Sequence, residues 1–317
     1  GQLWYDSDAS EFKYQEQVTG NAWSTGNSMN TARAQLAGAG TQTAALGFGG
    51  TTPPVSALTE SYNGSSWTEV ADLNTARRLI AGTGTQTSSL AFGGHAPSVT
   101  AATESWNGSS WTEVADLNTA RVALAAAGAD NTSALAFGGL NPPTFYANTE
   151  SWNGSSWTEL NDLNTARRDL GGNGIITSAL AYGGDTPGAT AATESWNGTS
   201  WTDVADLNTA RRLAGAGTDN TNALGIGGET PGGASALTES WNGSIWTETS
   251  DLNTARQELG ATGASNSSAL AFGGSLNPPA VAFTEEWNAG INLGAWYTGG
   301  SMNTARQNLG GAGTTTS

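Results

Sequence analysis

Residues 77–121 read RRLIAGTGTQTSSLAFGGHAPSVTAATESWNGSSWTEVADLNTAR and contain one complete unit of a repeat. Short runs of small, apolar and β-branched residues alternate with Gly, Asn, Ser and Pro, which is the pattern of β-strands joined by turns. We name the predicted strands a (starting at Arg78), b (ending at Gly94), c (residues 103–106) and d (residues 111–114). The unit therefore predicts four consecutive strands.

The tetrapeptide Asn-Thr-Ala-Arg closes this unit and occurs seven times, at spacings of 44, 44, 46, 44, 45 and 50 residues. Four strands in a period of this length match one blade of a β-propeller, a ring of small sheets around a central axis. The copies end at Arg33, Arg77, Arg121, Arg167, Arg211, Arg256 and Arg306. We predict an all-β, seven-bladed β-propeller with four antiparallel strands per blade, forming a single domain over residues 1–317.

The two ends of the chain are predicted to share one blade. Six Gly pairs end the predicted b strands, against seven copies of the tetrapeptide. Strands b, c and d of the remaining blade would be residues 3–6, 11–14 and 22–25, and its strand a would be residues 307–313. Such a blade closes the ring and leaves no open sheet edge between the first and last blades.

Four features recur at fixed places in each unit: a Gly pair ending strand b, an aromatic residue in strand c, a Trp opening strand d and an Arg after it. In one unit they are Gly93-Gly94, Trp106, Trp111 and Arg121. On these features the chain resembles the kelch repeat over nearly its whole length, which implies the propeller fold. Kelch propellers include binding modules, structural proteins and a few oxidases. The radical-copper oxidases among them need a Cys and several His, whereas this chain has no Cys and one His.

The N-terminal residues 2–14, QLWYDSDASEFKY, are similar to a short hairpin in structural proteins of marine tailed phages. Near-identical repeats rich in Thr, Asn and Gly are also similar to phage fibre and virion-surface modules. This resemblance implies an extracellular or virion-surface location and a role in adhesion or host recognition. It also implies other virion proteins as partners.

The chain is strongly acidic, with 11 basic and 27 acidic residues and a net charge of −16. Such a surface repels phosphate backbones and anionic lipids, so we expect no nucleic-acid partner. No run of about 18 apolar residues is present, so we expect no membrane insertion. The absence of Cys excludes disulfides and thiolate metal sites. We expect no metal site and no cofactor.

Two sets of recurring side chains have both a functional and a structural interpretation. Twelve of the 13 Trp recur in strands c and d, where they could stack on sugars, but their recurrence in every blade favours packing between blades. The repeat arginines could form an anion-binding ring, as in sialidases, or one buried ion pair per blade, which we favour because a catalytic cluster breaks symmetry. The matching acids of strand c are Glu60, Glu104, Glu150, Glu194, Glu239 and Glu285.

Two further recurring positions are assigned to turns. Asparagines in the c–d connection fit the N-glycosylation pattern, but Asn-Gly also predicts a type I′ hairpin turn, in which both central residues have positive φ. Acids at the end of strand d could bind Ca²⁺, but their spacing favours turn formation. These residues are Asn63, Asn107, Asn153, Asn197 and Asn242, and Asp72, Asp116, Asp162, Asp206 and Asp251.

The repeat symmetry is broken mainly in the b–c loops, which contain all nine prolines. Because strands alternate in direction, these loops share one face with the d–a turns, and proline reduces the entropy lost on binding. We predict a non-catalytic binding or adhesion propeller that contacts a host protein or glycan through this Pro-rich face; neutral variation of tolerant loops is the competing explanation. The loops are residues 51–58, 95–102, 140–148, 185–192, 229–237 and 275–283, and the candidate binding residues are His95, Asn141, Phe145, Tyr146, Asp185, Glu229 and Asn277. Residues 140–146 should offer the most exposed aromatic surface.

The alternative is an enzyme, such as a glycan hydrolase, with its site in the central channel. It would need paired carboxylates about 5–10 Å apart, whereas the predicted channel strands carry mostly Gly, Ala and Thr, with scattered acids such as Asp169 and Glu258. Any Ser-His-Asp triad would have to use His95, which lies in a variable loop. We therefore predict no catalytic residue and no enzyme; a purely structural spacer is the third interpretation.

Overall fold

The computed structural model describes residues 3–6 and 11–298, and it places side chains for residues 20–290. These residues form strands and turns, and among them no helix has the length and apolar character needed to cross a membrane. The chain divides into two compact units. The ring unit is Ala22–Asn288, and the terminal unit combines Gly1–Asn21 with Ala289–Ser317.

The ring unit contains six four-stranded antiparallel blades. Labels follow chain order, beginning with β1 (Leu3–Asp6) and β2 (Glu11–Gly26). Blade 1 consists of β3 (Ala37–Gly40), β4 (Ala45–Phe48), β5 (Thr59–Tyr62) and β6 (Trp67–Val70). Blade 2 consists of β7 (Ala81–Thr85), β8 (Ser88–Phe92), β11 (Thr103–Trp106) and β12 (Trp111–Val114), and its b–c loop contains the ribbon of β9 (His95–Ala96) and β10 (Ser98–Val99). Blade 3 consists of β13 (Ala125–Asp130), β14 (Ser133–Phe137), β17 (Thr149–Trp152) and β18 (Trp157–Glu159), and its b–c loop contains the ribbon of β15 (Leu140–Asn141) and β16 (Thr144–Phe145). Blades 4 and 5 are β19 (Gly171–Ile175), β20 (Ser178–Tyr182), β21 (Thr193–Trp196) and β22 (Trp201–Val204); and β23 (Arg212–Asp219), β24 (Asn222–Thr230), β25 (Gly233–Trp241) and β26 (Trp246–Glu248).

Blade 6 is built from both ends of the ring unit. Its first three strands are β27 (Gly260–Ser265), β28 (Ser268–Phe272) and residues 284–288 of β29 (Thr284–Thr298). Its outer strand is residues 22–26 of β2, since Trp23 packs 5.4 Å from Trp287 as Trp111 packs 5.3 Å from Trp106 in blade 2. In the terminal unit, β1 pairs antiparallel with β2, from Leu3 opposite Tyr14 to Asp6 opposite Glu11.

Hydrogen bonds from tryptophan side chains to threonines of the preceding blade run around the whole ring. Trp111 of blade 2, for example, donates from Nε1 to Thr59 Oγ1 of blade 1 at 3.1 Å. The six pairs are Trp67–Thr284, Trp111–Thr59, Trp157–Thr103, Trp201–Thr149, Trp246–Thr193 and Trp23–Thr238. Because blade 1 contacts blade 6 and blade 6 contacts blade 5 in the same way, the ring closes with six blades.

The predicted β-propeller with four-stranded antiparallel blades is confirmed, but the prediction of seven blades is wrong for the described residues. Strand d of the closing blade is N-terminal, as expected, yet its strands a, b and c are β27, β28 and residues 284–288. The predicted N-terminal strands b and c, residues 3–6 and 11–14, lie in the terminal unit instead. The predicted strand a, residues 307–313, falls outside the described part of the chain.

Each aromatic side chain of strand b inserts between two strands of the next blade. Phe48 of blade 1 lies 4.9 Å from the ring of Trp111 in blade 2. A Cβ added to Gly82, in the inner strand of blade 2, would lie only 2.3 Å from Phe48 Cζ. The small residues of the inner strands therefore make room for the core of the neighbouring blade, which is where the hydrophobic clusters lie.

The Gly pair after strand b is required by both backbone conformation and space. Gly93 and Gly94 have φ of 65° and 98°, in the left-handed region that favours glycine. A Cβ on Gly93 would lie 2.7 Å from Arg121 O, and one on Gly94 would lie 2.9 Å from Arg78 O. The pair lets the b–c loop approach the backbone that enters the next blade.

The c–d connection differs from the predicted type I′ turn. In blade 2 only Gly108 has positive φ (92°), whereas a type I′ turn requires it at Asn107 as well. Asn107 instead accepts hydrogen bonds at Oδ1 from the backbone N–H groups of Ser109 and Ser110, both at 3.0 Å. Four residues connect the two tryptophans, so the loop is longer than a two-residue turn and is closed by the Asn side chain.

A buried arginine–glutamate pair lies in each blade. Arg77 donates from Nη2 to Glu104 at 2.8 Å and from Nη1 to the carbonyls of Gly93 and Ala102 at 3.0 and 2.6 Å. Glu104 also accepts from the backbone N–H of Asn74 at 2.7 Å. Burial lowers the pKa of Arg77, and the charge of Glu104 opposes that shift. The pairs are Arg33–Glu60, Arg77–Glu104, Arg121–Glu150, Arg167–Glu194, Arg211–Glu239 and Arg256–Glu285.

We expect Glu104→Gln to lower the free energy of unfolding by about 3–5 kcal/mol, because it leaves the Arg77 guanidinium buried beside a neutral group. Glu113→Gln changes an exposed acid of the outer strand in the same blade and should cost less than about 0.5 kcal/mol. Urea unfolding followed by Trp fluorescence measures both. Equal losses for the two variants would contradict the assignment.

Candidate functional site

The backbone segments that follow the repeat arginines and lead into the inner strands lie close together around the ring axis, on the face that carries the b–c loops. Leu79 N donates to Gln35 O, Ala123 N to Leu79 O and Asp169 N to Ala123 O, at 2.8–3.0 Å. Gln35 N also donates to Glu258 O at 2.9 Å, which links blade 1 to blade 6. These five residues have φ between 51° and 58°, a left-handed conformation that is uncommon outside glycine. Their side chains surround the mouth of the channel.

This ring forms the lining of a depression of about 150 Å³. The lining includes apolar residues such as Leu79, Ala123 and Leu213, and the titratable residues Asp169, Arg212, Glu229 and Glu258. The b–c loops border it, because the residue after each repeat arginine pairs with the start of a b–c loop; Arg78 N, for example, donates to His95 O at 3.2 Å.

A cluster of charged side chains lies on the side of the depression formed by blades 4 and 5. Arg168 Nη2 and Arg212 Nη2 donate to the same Asp185 oxygen, at 2.9 and 3.0 Å. Arg212 Nη1 also donates to Glu229 at 2.7 Å. Asp169 Oδ2 lies 3.5 Å from Arg168 Nε and 3.9 Å from Arg212 Nε. We call these five residues the arginine–acid cluster.

The two aspartates of the cluster have opposite pKa shifts. Burial raises the pKa of Asp169 to about 6, and the nearby charges of Arg168 and Arg212 offset this only in part. Burial also acts to raise the pKa of Asp185, but the hydrogen bonds from the Gly188 N–H and Arg168, with the charge of Arg212, hold it below its usual range. Asp185 therefore stays ionised, and Asp169 changes charge near pH 6.

The structure brings three of the candidate binding residues together. Asp185 and Glu229 belong to the arginine–acid cluster, and Phe145 lies under Arg168, whose Cζ is 5.7 Å from the ring centroid. The side chain of Asp185 is only 4% exposed, and it accepts hydrogen bonds from both Arg168 and Arg212.

The other candidate residues lie in b–c loops of blades 2, 3 and 6. His95 is half-buried in blade 2, and Asn277 is exposed in blade 6 with its N–H bonded to Ser275 Oγ at 3.0 Å. In blade 3, Asn141 donates to Ala120 O at 3.4 Å, and the backbone N–H of Tyr146 donates to Gly139 O at 2.9 Å.

The expected aromatic surface of residues 140–146 is not the most exposed one. Phe145 and Tyr146 are half-buried, and Phe145 packs against a cluster that contains Val122 and Leu140. Phe283, at the end of the b–c loop of blade 6, is 40% exposed. The short ribbon formed by β15 and β16 folds the aromatic side chains of blade 3 back onto the ring.

Arg168 and Arg212 were not among the residues proposed from the sequence. Their position directly follows the repeat arginine, and the other blades have Ala34, Arg78, Val122 and Gln257 there. This position varies between blades although it lies next to an invariant residue, and the antiparallel order of strands places it opposite the b–c loop. This variation beside an invariant residue is the sequence signal that points to Arg168 and Arg212.

The remaining recurring side chains have structural partners. The tryptophans of strands c and d in the ring are at most 6% exposed, so they are closed to a sugar. Asp116 accepts from the Thr103 N–H at 3.2 Å, and its equivalents in the other blades do the same. Among the described side chains, no group of three or more His, Asp and Glu is arranged to hold a metal ion.

The other end of the channel is lined mainly by glycine and alanine. It forms a cavity of about 110 Å³, and its lining residues include Thr83, Asn173 and Thr262 but no carboxylate. These three side chains donate to backbone carbonyls of the next blade, for example Thr83 to Gly128 O at 3.0 Å.

Comparison with known proteins finds no protein-family model and no curated protein that matches this chain.

We expect Asp169→Asn to stabilise the protein by roughly 1–3 kcal/mol at pH 7.5 and to have little effect at pH 4. A carboxyl whose pKa is raised on folding destabilises the folded state when it ionises, so stability is lost as pH rises from about 4 to about 6. Asn also tolerates the φ of 51° at this position. Urea unfolding at both pH values measures the difference, with Glu248→Gln in an exposed strand as control. A gain that is larger at pH 4 would refute this electrostatic account.

Proposed function

We propose that this chain is a non-catalytic binding propeller that holds a protein or glycan ligand at the b–c loop face, over the central depression. The observation that carries the proposal is the arginine–acid cluster. It breaks the six-fold repetition on the one face where the variable loops also lie. A group kept for folding alone recurs in every blade, as the Arg–Glu pairs do.

The size of the depression limits what can enter it. A volume of about 150 Å³ is well below the roughly 300–1,000 Å³ of sites for drug-sized ligands. It suits one sugar ring or one protruding side chain, with the rest of the ligand lying on the surrounding loops. Leu79, Ala123 and Leu213 offer an apolar floor, while Arg212 and Glu229, 34% and 35% exposed, offer fixed donors and acceptors.

The proposed setting is the surface of a phage virion or tail fibre, where the chain would take part in adhesion and host recognition. It rests on the kelch-like repeat and on the resemblance of residues 2–14 to marine phage structural proteins. The acidic surface also suits this setting, because a net charge of −16 favours solubility and discourages nonspecific association with nucleic acid.

Binding to a glycan array and to intact host cells tests the proposal. Arg212→Ser should weaken any specific interaction at least about tenfold, or 1.4 kcal/mol, because it removes a donor and releases Asp185 and Glu229. Ile245→Ser is the matched control, since Ile245 is 55% exposed in a c–d turn of the same blade, on the opposite face.

A ligand that binds both variants equally would contradict the proposed face. The absence of any ligand among host surfaces and glycans would favour the structural spacer.

One observation favours a glycan hydrolase as the second candidate. Asp169, with a pKa of about 6, lies near the ionised Asp185, and such a pair can supply a general acid and a second carboxylate. Against this, Asp185 already accepts hydrogen bonds from two guanidinium groups and a backbone N–H. A carboxylate held in this way is a poor nucleophile and a poor base.

A hydrolase would release reducing sugar from a bound glycan, and Asp169→Asn would lower that rate at least about a hundredfold. We expect no release of reducing sugar by the wild-type protein or by Asp169→Asn. A measurable rate that disappears in this variant would establish the enzyme instead.

A further inference from the structure

The apolar and the charged side chains of the central depression lie on different sides of it. Blades 2 and 3 contribute only apolar side chains to the lining, among them Leu79 and Ala123. All of its charged side chains come from blades 4, 5 and 6, which lie across the axis from blades 1, 2 and 3. A ligand that fills the depression therefore meets an apolar surface on one side and charge on the other.

Negative charge predominates among the side chains that line the depression. One arginine stands against three acids, which leaves an excess of two negative charges when the acids are ionised. Arg78, Arg168 and Asp185 lie next to the lining, and counting them reduces the excess to one negative charge. The charged lining residues are Asp169, Arg212, Glu229 and Glu258. The depression is therefore complementary to a cation.

The side chains of Arg212 and Gln35 direct their donors to acids of the chain itself. Arg212 donates from Nη1 to Glu229 at 2.7 Å and from Nη2 to Asp185 at 3.0 Å. Gln35 donates from Nε2 to Glu258 Oε1 at 2.8 Å. Because these donors have partners, the depression offers a ligand mainly acceptors.

Asp169 keeps acceptor capacity for a ligand. Its Oδ2 lies 3.5 Å from Arg168 Nε, but that N–H donates to Asp185 at 3.0 Å. Arg212 Nε is more distant from Asp169 Oδ2, at 3.9 Å. The side chain of Asp169 is 25% exposed and lines the depression. An ionised carboxylate accepts several hydrogen bonds, so a donor that enters the depression finds an acceptor here.

A primary ammonium group matches this surplus of acceptors. It carries three N–H donors and no acceptor, and the donors point in different directions from one nitrogen. Asp169 and Glu258 stand on blades 4 and 6, on either side of blade 5, so they approach such a group from different directions. A guanidinium is a planar fork that suits the two oxygens of one carboxylate, and a sugar hydroxyl brings no positive charge.

The apolar side of the depression matches the aliphatic stem of a lysine. Lysine packs its stem along apolar surface while its ammonium group reaches a polar environment. Leu79, Ala123 and Leu213 offer that surface. The volume of about 150 Å³ suits one side chain, so the residues that flank it in a partner would lie on the surrounding b–c loops.

We propose that the central depression binds the side chain of a lysine that protrudes from a protein partner. The stem lies against Leu79 and Ala123, and the ammonium group lies among Asp169, Glu229 and Glu258. This inference rests on the proposed function, because the same b–c loop face holds the rest of the partner. It makes the ligand a protein rather than a glycan.

The cation n-pentylammonium, which copies the end of a lysine side chain, tests the inference on the wild-type protein. Methyl NMR of leucine-labelled protein should show the largest shifts at Leu79 and Leu213. We expect an affinity at least about tenfold higher than that of n-pentanol, which has a similar shape without the charge. Equal affinity for n-pentanol, or tighter binding of n-butylguanidinium, would overturn the assignment of a lysine.

Two variants that each remove one negative charge separate a specific site from the general field of a chain with net charge −16. Asp169→Asn should weaken binding of n-pentylammonium at least about fivefold, because it removes charge where the ammonium group lies. Glu113→Gln, in the exposed outer strand of blade 2, is the matched control and should change the affinity less than about twofold. Equal weakening by both variants would contradict the inference.

The pH dependence of the affinity gives a second readout. Burial raises the pKa of Asp169 to about 6, and the charged groups around it are Arg168, Arg212, Asp185 and Glu258. The negative charge of Asp169 is lost as pH falls through 6, so n-pentylammonium should bind roughly three- to tenfold more weakly at about pH 5 than at about pH 7.5. Asp169→Asn should show a smaller change. Identical pH profiles for the wild-type protein and this variant would contradict an ammonium group beside Asp169.

The outcomes also distinguish a failure of this inference from a failure of the proposed function. If n-pentylammonium does not shift Leu79 and Leu213 while a host ligand binds and is weakened by Arg212→Ser, the lysine is wrong and the b–c loop face stands. If the probe binds as expected and no host surface binds, the lysine site is supported and the host setting fails.

Discussion

The ring depends on a guanidinium–carboxylate pair that water does not reach, placed wherever the chain passes from one blade to the next. Arg77 stands after the outer strand of blade 1, and Glu104 stands in the third strand of blade 2. Nη1 of the arginine donates to the carbonyls of Gly93 and Ala102, which lie where strand b ends and strand c begins. Because an unpaired charge in this place is strongly unfavourable, the pair stabilises the crossing from the outer strand of one blade to the inner strand of the next.

Most of the charged and aromatic side chains that recur in the repeat have structural partners inside the ring. The arginines and glutamates neutralise each other inside the blades, and the tryptophans donate to threonines across the seams between them. Side chains that are free to contact a ligand at the surface are therefore expected at positions where the blades differ. The arginine–acid cluster occupies such positions, since the other blades have Ala34, Arg78, Val122 and Gln257 where Arg168 and Arg212 stand.

The cluster also shows how one fold gives neighbouring acids different properties. Asp185 accepts hydrogen bonds from two arginines and a backbone N–H, so its charge is stabilised despite burial. Asp169 lies at longer distances from the same arginines, 3.5 and 3.9 Å, so the effect of burial on its pKa exceeds that of the two positive charges. The contrast follows from hydrogen-bond geometry, which the spacing of residues in the sequence does not contain.

The sequence by itself determined the four-stranded unit, its order of strands and the face on which the variable loops lie, because these follow from local periodicity and from turn residues such as Gly93 and Gly94. It also contained the pairing of Arg with Glu, since both recur once per unit. The tertiary structure alone decided that six blades close the ring, because closure depends on whether Trp23 meets Thr238 across more than 200 residues. It also decided the arginine–acid cluster, since Arg168, Asp185 and Arg212 come together only when blades 4 and 5 pack side by side.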